Sequence, residues 1–111
     1  LTDGKETRQF LHAEDCSRAL HTLSLDFDSV PKNEEYHITS FKWVSILKIA
    51  ETISDQLGGV NTCPSEDKDT VQKDQKNEPS EHILNYWKPQ ISLEEGIKDI
   101  IGQIKDARTE D

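Results

Sequence analysis

Arg8 stands two residues before the apolar pair Phe10-Leu11 in a chain dominated by carboxylates. Its planar guanidinium can fork onto a phosphate or carboxylate through two parallel hydrogen bonds, which the point charge of a lysine cannot do. A solvated arginine at a strand start is the plainer reading of the same residue. The other chemically capable side chains are poorly spaced for joint work. His12, His21, His37 and His82 are scattered, and with the two distant thiols Cys16 and Cys63 they lack the local spacing of a zinc site. Cys-His catalysis lacks support too, because His12 falls on a strand and Cys16 on the apolar face of the next helix. Asp67, Asp69 and Asp74 suggest calcium, but Val71 and Gln72 stand where an EF-hand loop needs an oxygen ligand and a glycine. Tyr36 and Tyr86 are followed four positions on by Ser40 and Gln90, so a Tyr-x-x-x-Lys proton-transfer pair is missing. The paired glycines Gly58-Gly59 fall at a helix end, not at a strand-to-helix phosphate turn. These residues supply no catalytic, cofactor or metal motif.

The elements that must position Arg8 follow from the apolar periodicity. A turn at Asp3-Gly4 leads into a short strand over residues 8 to 13. Asp15 is the expected N-cap of a first helix, since Cys16, Ala19, Leu20 and Leu23 form one stripe that ends near Leu25. A polar loop follows, and Tyr36-His37-Ile38-Thr39 alternates like a buried second strand. Ser45 is the expected cap of a second helix, with Val44 and Ile49 as a hydrophobic staple and Ile46, Ile49, Ala50, Ile53 and Leu57 on one face. Gly58-Gly59 supplies its left-handed stop. Residues 61 to 82 contain only Cys63 and Val71 as apolar residues and read as a long polar surface loop, a place where binding often resides. Ile83-Leu84-Asn85-Tyr86-Trp87 returns to apolar character before Pro89. Ser92-Leu93-Glu94-Glu95 then forms a capping box that opens a helix with Leu93, Ile97, Ile100, Ile101 and Ile104 on one face.

The expected fold is therefore a single α/β unit of two or three short strands and about three amphipathic helices. Leu, Ile, Val and Phe supply 26 of the 111 residues, just enough for a thin core. So thin a sheet leaves apolar helix faces uncovered, which points to a missing partner or missing upstream chain. The first residue is Leu and the chain holds no Met, as expected of a processed or excised piece. The formal net charge of -9 is the wrong sign for nucleic acid or an anionic membrane. With two cysteines, no membrane-length apolar run and no basic-apolar leader, the expectation is a cytoplasmic chain with reduced thiols.

The segment Gly4-Lys5-Glu6-Thr7-Arg8-Gln9-Phe10-Leu11-His12-Ala13-Glu14-Asp15-Cys16 resembles the Gly-x-x-x-Arg-Asp-Phe-(Ile/Val)-His-Val-x-Asp segment of extended short-chain dehydrogenases, the NAD-dependent nucleotide-sugar epimerases and dehydratases. Tyr36-His37-Ile38-Thr39 is similar to their Tyr-Asn-Ile-Gly strand. Residues 44 to 58 resemble the helix after it, and Trp87-Lys88-Pro89 with Ser92-Leu93-Glu94-Glu95-Gly96-Ile97 resembles their closing motif. The pieces keep the family's order along essentially the whole chain. The resemblance implies the C-terminal, substrate-binding portion of a Rossmann-type enzyme, inactive alone. The missing N-terminal Rossmann half would hold NAD and the catalytic Ser/Thr, Tyr and Lys, and the parent could be a homodimer.

It further implies that Arg8 reaches the pyrophosphate of a nucleotide-diphosphate sugar, orienting the sugar for hydride transfer to NAD in the parent. Lys68 and Asp69 would stand in for the Arg and Asp of the family's second substrate loop. Gln9 replaces the family's Asp, which removes any salt link that Asp makes. Asp15, in the family's Val-x-Asp position, is equally explained as a helix cap, and Lys48 stands where relatives often complete a capping box with Glu. An acidic stand-alone interaction module, using the helix faces and the 61 to 82 loop, is the alternative.

Overall fold

The computed structural model describes residues 2–68 and 77–109. The chain is a small mixed α/β unit of three helices and a two-stranded antiparallel sheet. In chain order the elements are β1 (Thr7–Gln9), α1 (Ala13–Leu25), β2 (Trp43–Ser45), α2 (Ile46–Gln56), a short 3-10 turn (His82–Asn85) and α3 (Leu93–Thr109). The strands register Thr7 with Ser45, Arg8 with Val44 and Gln9 with Trp43. Among the described residues, no helix is long and apolar enough to cross a membrane.

Two helix starts are written in local hydrogen bonds. Ser45 Oγ accepts the amide of Lys48 at 3.0 Å, and Ser92 Oγ accepts that of Glu95 at 3.1 Å. Each bond satisfies an amide that the first helical turn leaves without a carbonyl. At the other end of α2, Gly58 and Gly59 take φ of +87° and +94°, and the amide of Gly59 closes back on the Ser54 carbonyl at 2.8 Å. A side chain at either position would be strained, so the pair ends the helix as expected.

Three expectations are corrected. The first strand is shorter than residues 8 to 13, because the ladder stops at Gln9 and the chain turns into α1. The cap of α1 is His12, whose Nδ1 accepts the Glu14 amide at 3.1 Å, and not Asp15. Imidazole is an uncommon capping group, which is why the carboxylate was the natural candidate. Residues 36 to 39 are not a strand; β2 lies further along, at Trp43–Ser45. Their alternation is nonetheless real. Tyr36 and Ile38 pack toward the core, while His37 Nδ1 accepts the Ser80 amide at 2.8 Å and the Glu35 carbonyl accepts the Ser80 hydroxyl at 3.0 Å. Side-chain bonds to Ser80 thus hold a segment that the described strands do not pair. Phe41, at φ 60°, then turns the chain toward β2.

Ala19, Ile83 and Trp87 are the buried centre, with Leu11, Leu23, Tyr36, Ile38, Phe41 and Leu84 packed around them. Tyr36 meets Tyr86 edge to face, with ring centroids 6.2 Å apart. The radius of gyration is 17.1 Å, against about 13 Å for a compact chain of this length, and the shortest extent is 20 Å. A slab this thin cannot bury both faces of its helices. Leu20, Leu25, Phe27, Leu57, Ile100 and Ile104 all remain exposed.

Candidate functional site

Arg8 occupies the middle of β1, half-buried, with its backbone opposite Val44. Its Nη1 donates to the Thr7 carbonyl at 2.9 Å, which orients the guanidinium along its own strand. The neighbouring Gln9 does not point toward a salt link; its Oε1 accepts the Thr39 hydroxyl at 2.5 Å and ties β1 to the segment before β2. Gln9 is therefore employed in holding β1 to that segment.

Lys68 is exposed at the end of a tethered stretch. The Ser65 amide donates to the Thr2 carbonyl at 2.9 Å and the Asp3 amide to the Asp67 carbonyl at 2.6 Å, so this part of the long loop lies along the N-terminal segment. Arg8 is five residues beyond Asp3, a span of at most about 17 Å in extended chain. Docking on Asp3 does not by itself bring the Lys68 ammonium to the Arg8 guanidinium. Asp69 lies outside the described residues.

Asp15 has a part that sequence reasoning missed. Its side chain is 1% exposed, and its carboxylate accepts the amides of Gln90 at 3.1 Å and Ile91 at 2.9 Å and Arg18 Nη2 at 2.9 Å. Burial pushes its pKa up, but the Ile91 amide, Arg18 and the Gln90 amide together outweigh that and hold the group below its ordinary value. Arg18 also donates to the Lys88 carbonyl at 2.7 Å, and its guanidinium lies 5.7 Å from the centre of the Trp87 ring. An i,i+3 ion pair on α1 thus straps residues 87 to 91 to the helix, and the Asp-x-x-Arg spacing was the available signal.

A second strap joins α1 to α3. His12 Nε2 donates to Asp99 Oδ2 at 3.0 Å while Nδ1 caps α1, which sets the neutral tautomer of the ring. A methyl group on Gly96 would sit 3.2 Å from His12 Cδ2, so the two elements approach closely because position 96 has no side chain.

Beside these straps an open groove of about 780 Å3 runs between α2 and α3. Its walls are Ile49, Ile53 and Leu57 on one side and Ile97, Ile100 and Ile104 on the other. Arg8 is not among its lining residues. The spacing of these walls was legible as two helical stripes; that they face one another was not.

Both cysteines are free, Cys16 half-buried and Cys63 exposed. Among the described residues, no group of three or more His, Cys, Asp or Glu side chains is arranged to hold a metal ion. No protein-family model matches the chain, and no curated protein matches it.

Proposed function

We propose that this chain is the substrate-binding portion of an NAD-dependent nucleotide-sugar epimerase or dehydratase, with Arg8 as the diphosphate ligand. One observation carries the reading: motifs resembling that family occur in its order from Gly4 to Ile97. Their packing supports it. His12 of the first motif seats on Gly96 of the last, and Asp15 holds the amides between Pro89 and Ser92, so the similar segments form one connected structure.

In this reading Arg8 binds and orients, while Lys68 and Asp69 contribute from the loop. Two guanidinium N–H groups on one diphosphate fix the nucleotide end, so that the sugar is presented in one orientation. NAD, in the parent, supplies the hydride acceptor. The glycines here do not fit a dinucleotide: Gly58 and Gly59 close the C-terminal end of α2, whereas a phosphate cradle needs glycines where a strand opens into a helix. Cofactor, catalytic Tyr and hydride step belong to a Rossmann half of a cytoplasmic parent that can be a homodimer.

The test is calorimetric titration of UDP- and dTDP-sugars into the parent enzyme and its Arg8→Lys and Arg8→Ala variants, with melting temperatures alongside. Affinity should fall in that order, roughly 10- to 100-fold for Arg8→Ala, with folding little changed. Unchanged affinity, or a loss matched by a collapse in stability, overturns the assignment of Arg8. NAD titrated into this chain alone should give no binding heat, and micromolar affinity would contradict the division of labour.

A further inference from the structure

The groove between α2 and α3 carries a charge pattern opposite to that of the chain. Acidic residues make up close to one position in five of the described residues, so composition alone would place about four among the 21 described residues that line the groove. None of those residues is Asp or Glu, while Lys42, Lys105 and Arg108 are all present. The segregation follows from helix geometry. On α3, Ile97, Ile100, Ile101, Ile104, Lys105 and Arg108 lie three or four residues apart and share the groove face, whereas Glu94, Glu95, Asp99 and Asp106 do not line it. On α2 the groove takes Ile49, Ile53 and Leu57 and leaves out Glu51 and Asp55.

The shape selects among apolar ligands. Ile100 and Ile104 are each 51% exposed and Leu57 43%, so the groove is an open trough and not an enclosed chamber. A small hydrocarbon ligand needs a site that covers most of its surface, which this trough does not offer. Two apolar stripes at helical spacing, about 12 Å long on α2 and about 16 Å on α3, suit the apolar face of a third helix laid along the groove. Cations at Lys105 and Arg108, with Lys42 also on the lining, favour carboxylates on that helix's flanks.

We propose that the α2–α3 groove is a docking site for an amphipathic helix with acidic flanks, supplied by a partner protein. Isoleucine and leucine side chains of the groove bury the partner's apolar face, and Lys105 and Arg108 set its charge preference. The inference does not rest on the sugar-nucleotide reading, since Arg8 lies outside the groove.

The experiment uses the full chain and fluorescent helical peptides of roughly 18 residues, five turns. They carry Leu at i, i+3, i+4 and i+7, either two Glu or two Lys at positions flanking that face, and Ala and Gln elsewhere, so that their net charges stay small against the -9 of the chain, and a scrambled Glu peptide has no apolar face. Fluorescence anisotropy should show the Glu peptide binding roughly tenfold more tightly than the Lys peptide, and the scrambled one not at all. Ile104→Asp should abolish binding; because Ile104 is half-exposed, its melting temperature should stay near that of the parent, and Ile100→Asp is the second variant. Joint Lys105→Glu and Arg108→Glu substitution should invert the Glu-over-Lys preference. Equal binding of both amphipathic peptides, or binding unaffected by Ile104→Asp and Ile100→Asp, would overturn the proposal. So would concentration-dependent dimerisation of the chain that Ile104→Asp removes, or decanoate binding more tightly than the Glu peptide.

Discussion

His12 lies against Gly96, and a methyl group there would sit 3.2 Å from His12 Cδ2, so that the imidazole would have to give by a few tenths of an ångström. The imidazole is held at both nitrogens, by the Glu14 amide and by Asp99, so it cannot swing aside without breaking the cap of α1 or the strap to α3. Gly96→Ala should therefore destabilise the fold, by about 1 kcal/mol after the gain in helix propensity is set against overpacking. Gly102, on the same helix, has nothing within 4 Å of the place a methyl group would take, and Gly102→Ala should stabilise by up to about 1 kcal/mol. Opposite shifts in the urea midpoint are the expected result; shifts of the same sign would mean that His12 does not constrain position 96.

Asp15 should make the fold acid-sensitive. Its native pKa lies below the ordinary 3.8, so its stabilising contribution is fully present above that value and is lost as pH falls through the lower native one. Asp15→Ala also strips two amides of their acceptor in a buried place, which should cost about 3 kcal/mol at neutral pH. Asp15→Asn should lower stability at pH 7 and approach the parent's stability as the pH falls below 3.8 and through the lower native value. Chemical denaturation across pH 2 to 7 checks both, and a constant gap between parent and Asn variant would deny the ionised form its part.

Ser45 joins β2 to α2, since it pairs with Thr7 and also caps the helix. Ser45→Ala should cost about 1 kcal/mol, and Ser45→Asp should recover most of it through the same acceptor geometry. Thermal melts of the two variants decide the matter, with equal losses pointing to the strand pairing instead of the cap.

The tether between residues 2–3 and 65–67 should appear in hydrogen exchange. Amides of Asp3 and Ser65, which donate to the Asp67 and Thr2 carbonyls, should exchange more slowly than those of exposed Asn61 and Thr62. Equal exchange at all four would show the tether to be open most of the time.

What was legible in the sequence is what depends on residues within about four positions of each other. Ser45 and Ser92 cap helices through amides three residues on, Gly58-Gly59 stops α2, and the stripes of α2 and α3 follow from one sequence period. The apolar run from Ile83 to Trp87 was visible by composition, but that it forms the core with Ala19 was shown only by the packing. The strand partner of Arg8 was not legible, because Val44 is 36 positions away and a three-residue strand carries too little pattern to choose its mate. Tyr36 and Ile38 display strand alternation without a strand, since period two reports which side chains are buried and not which backbone is paired. Asp15 changed from cap to buried strap because its amide donors, Gln90 and Ile91, lie 75 and 76 residues further on. The groove needed the tertiary structure most: each helix announced its own apolar stripe, but only their packing set two stripes side by side and, among the described residues, left every carboxylate off the lining.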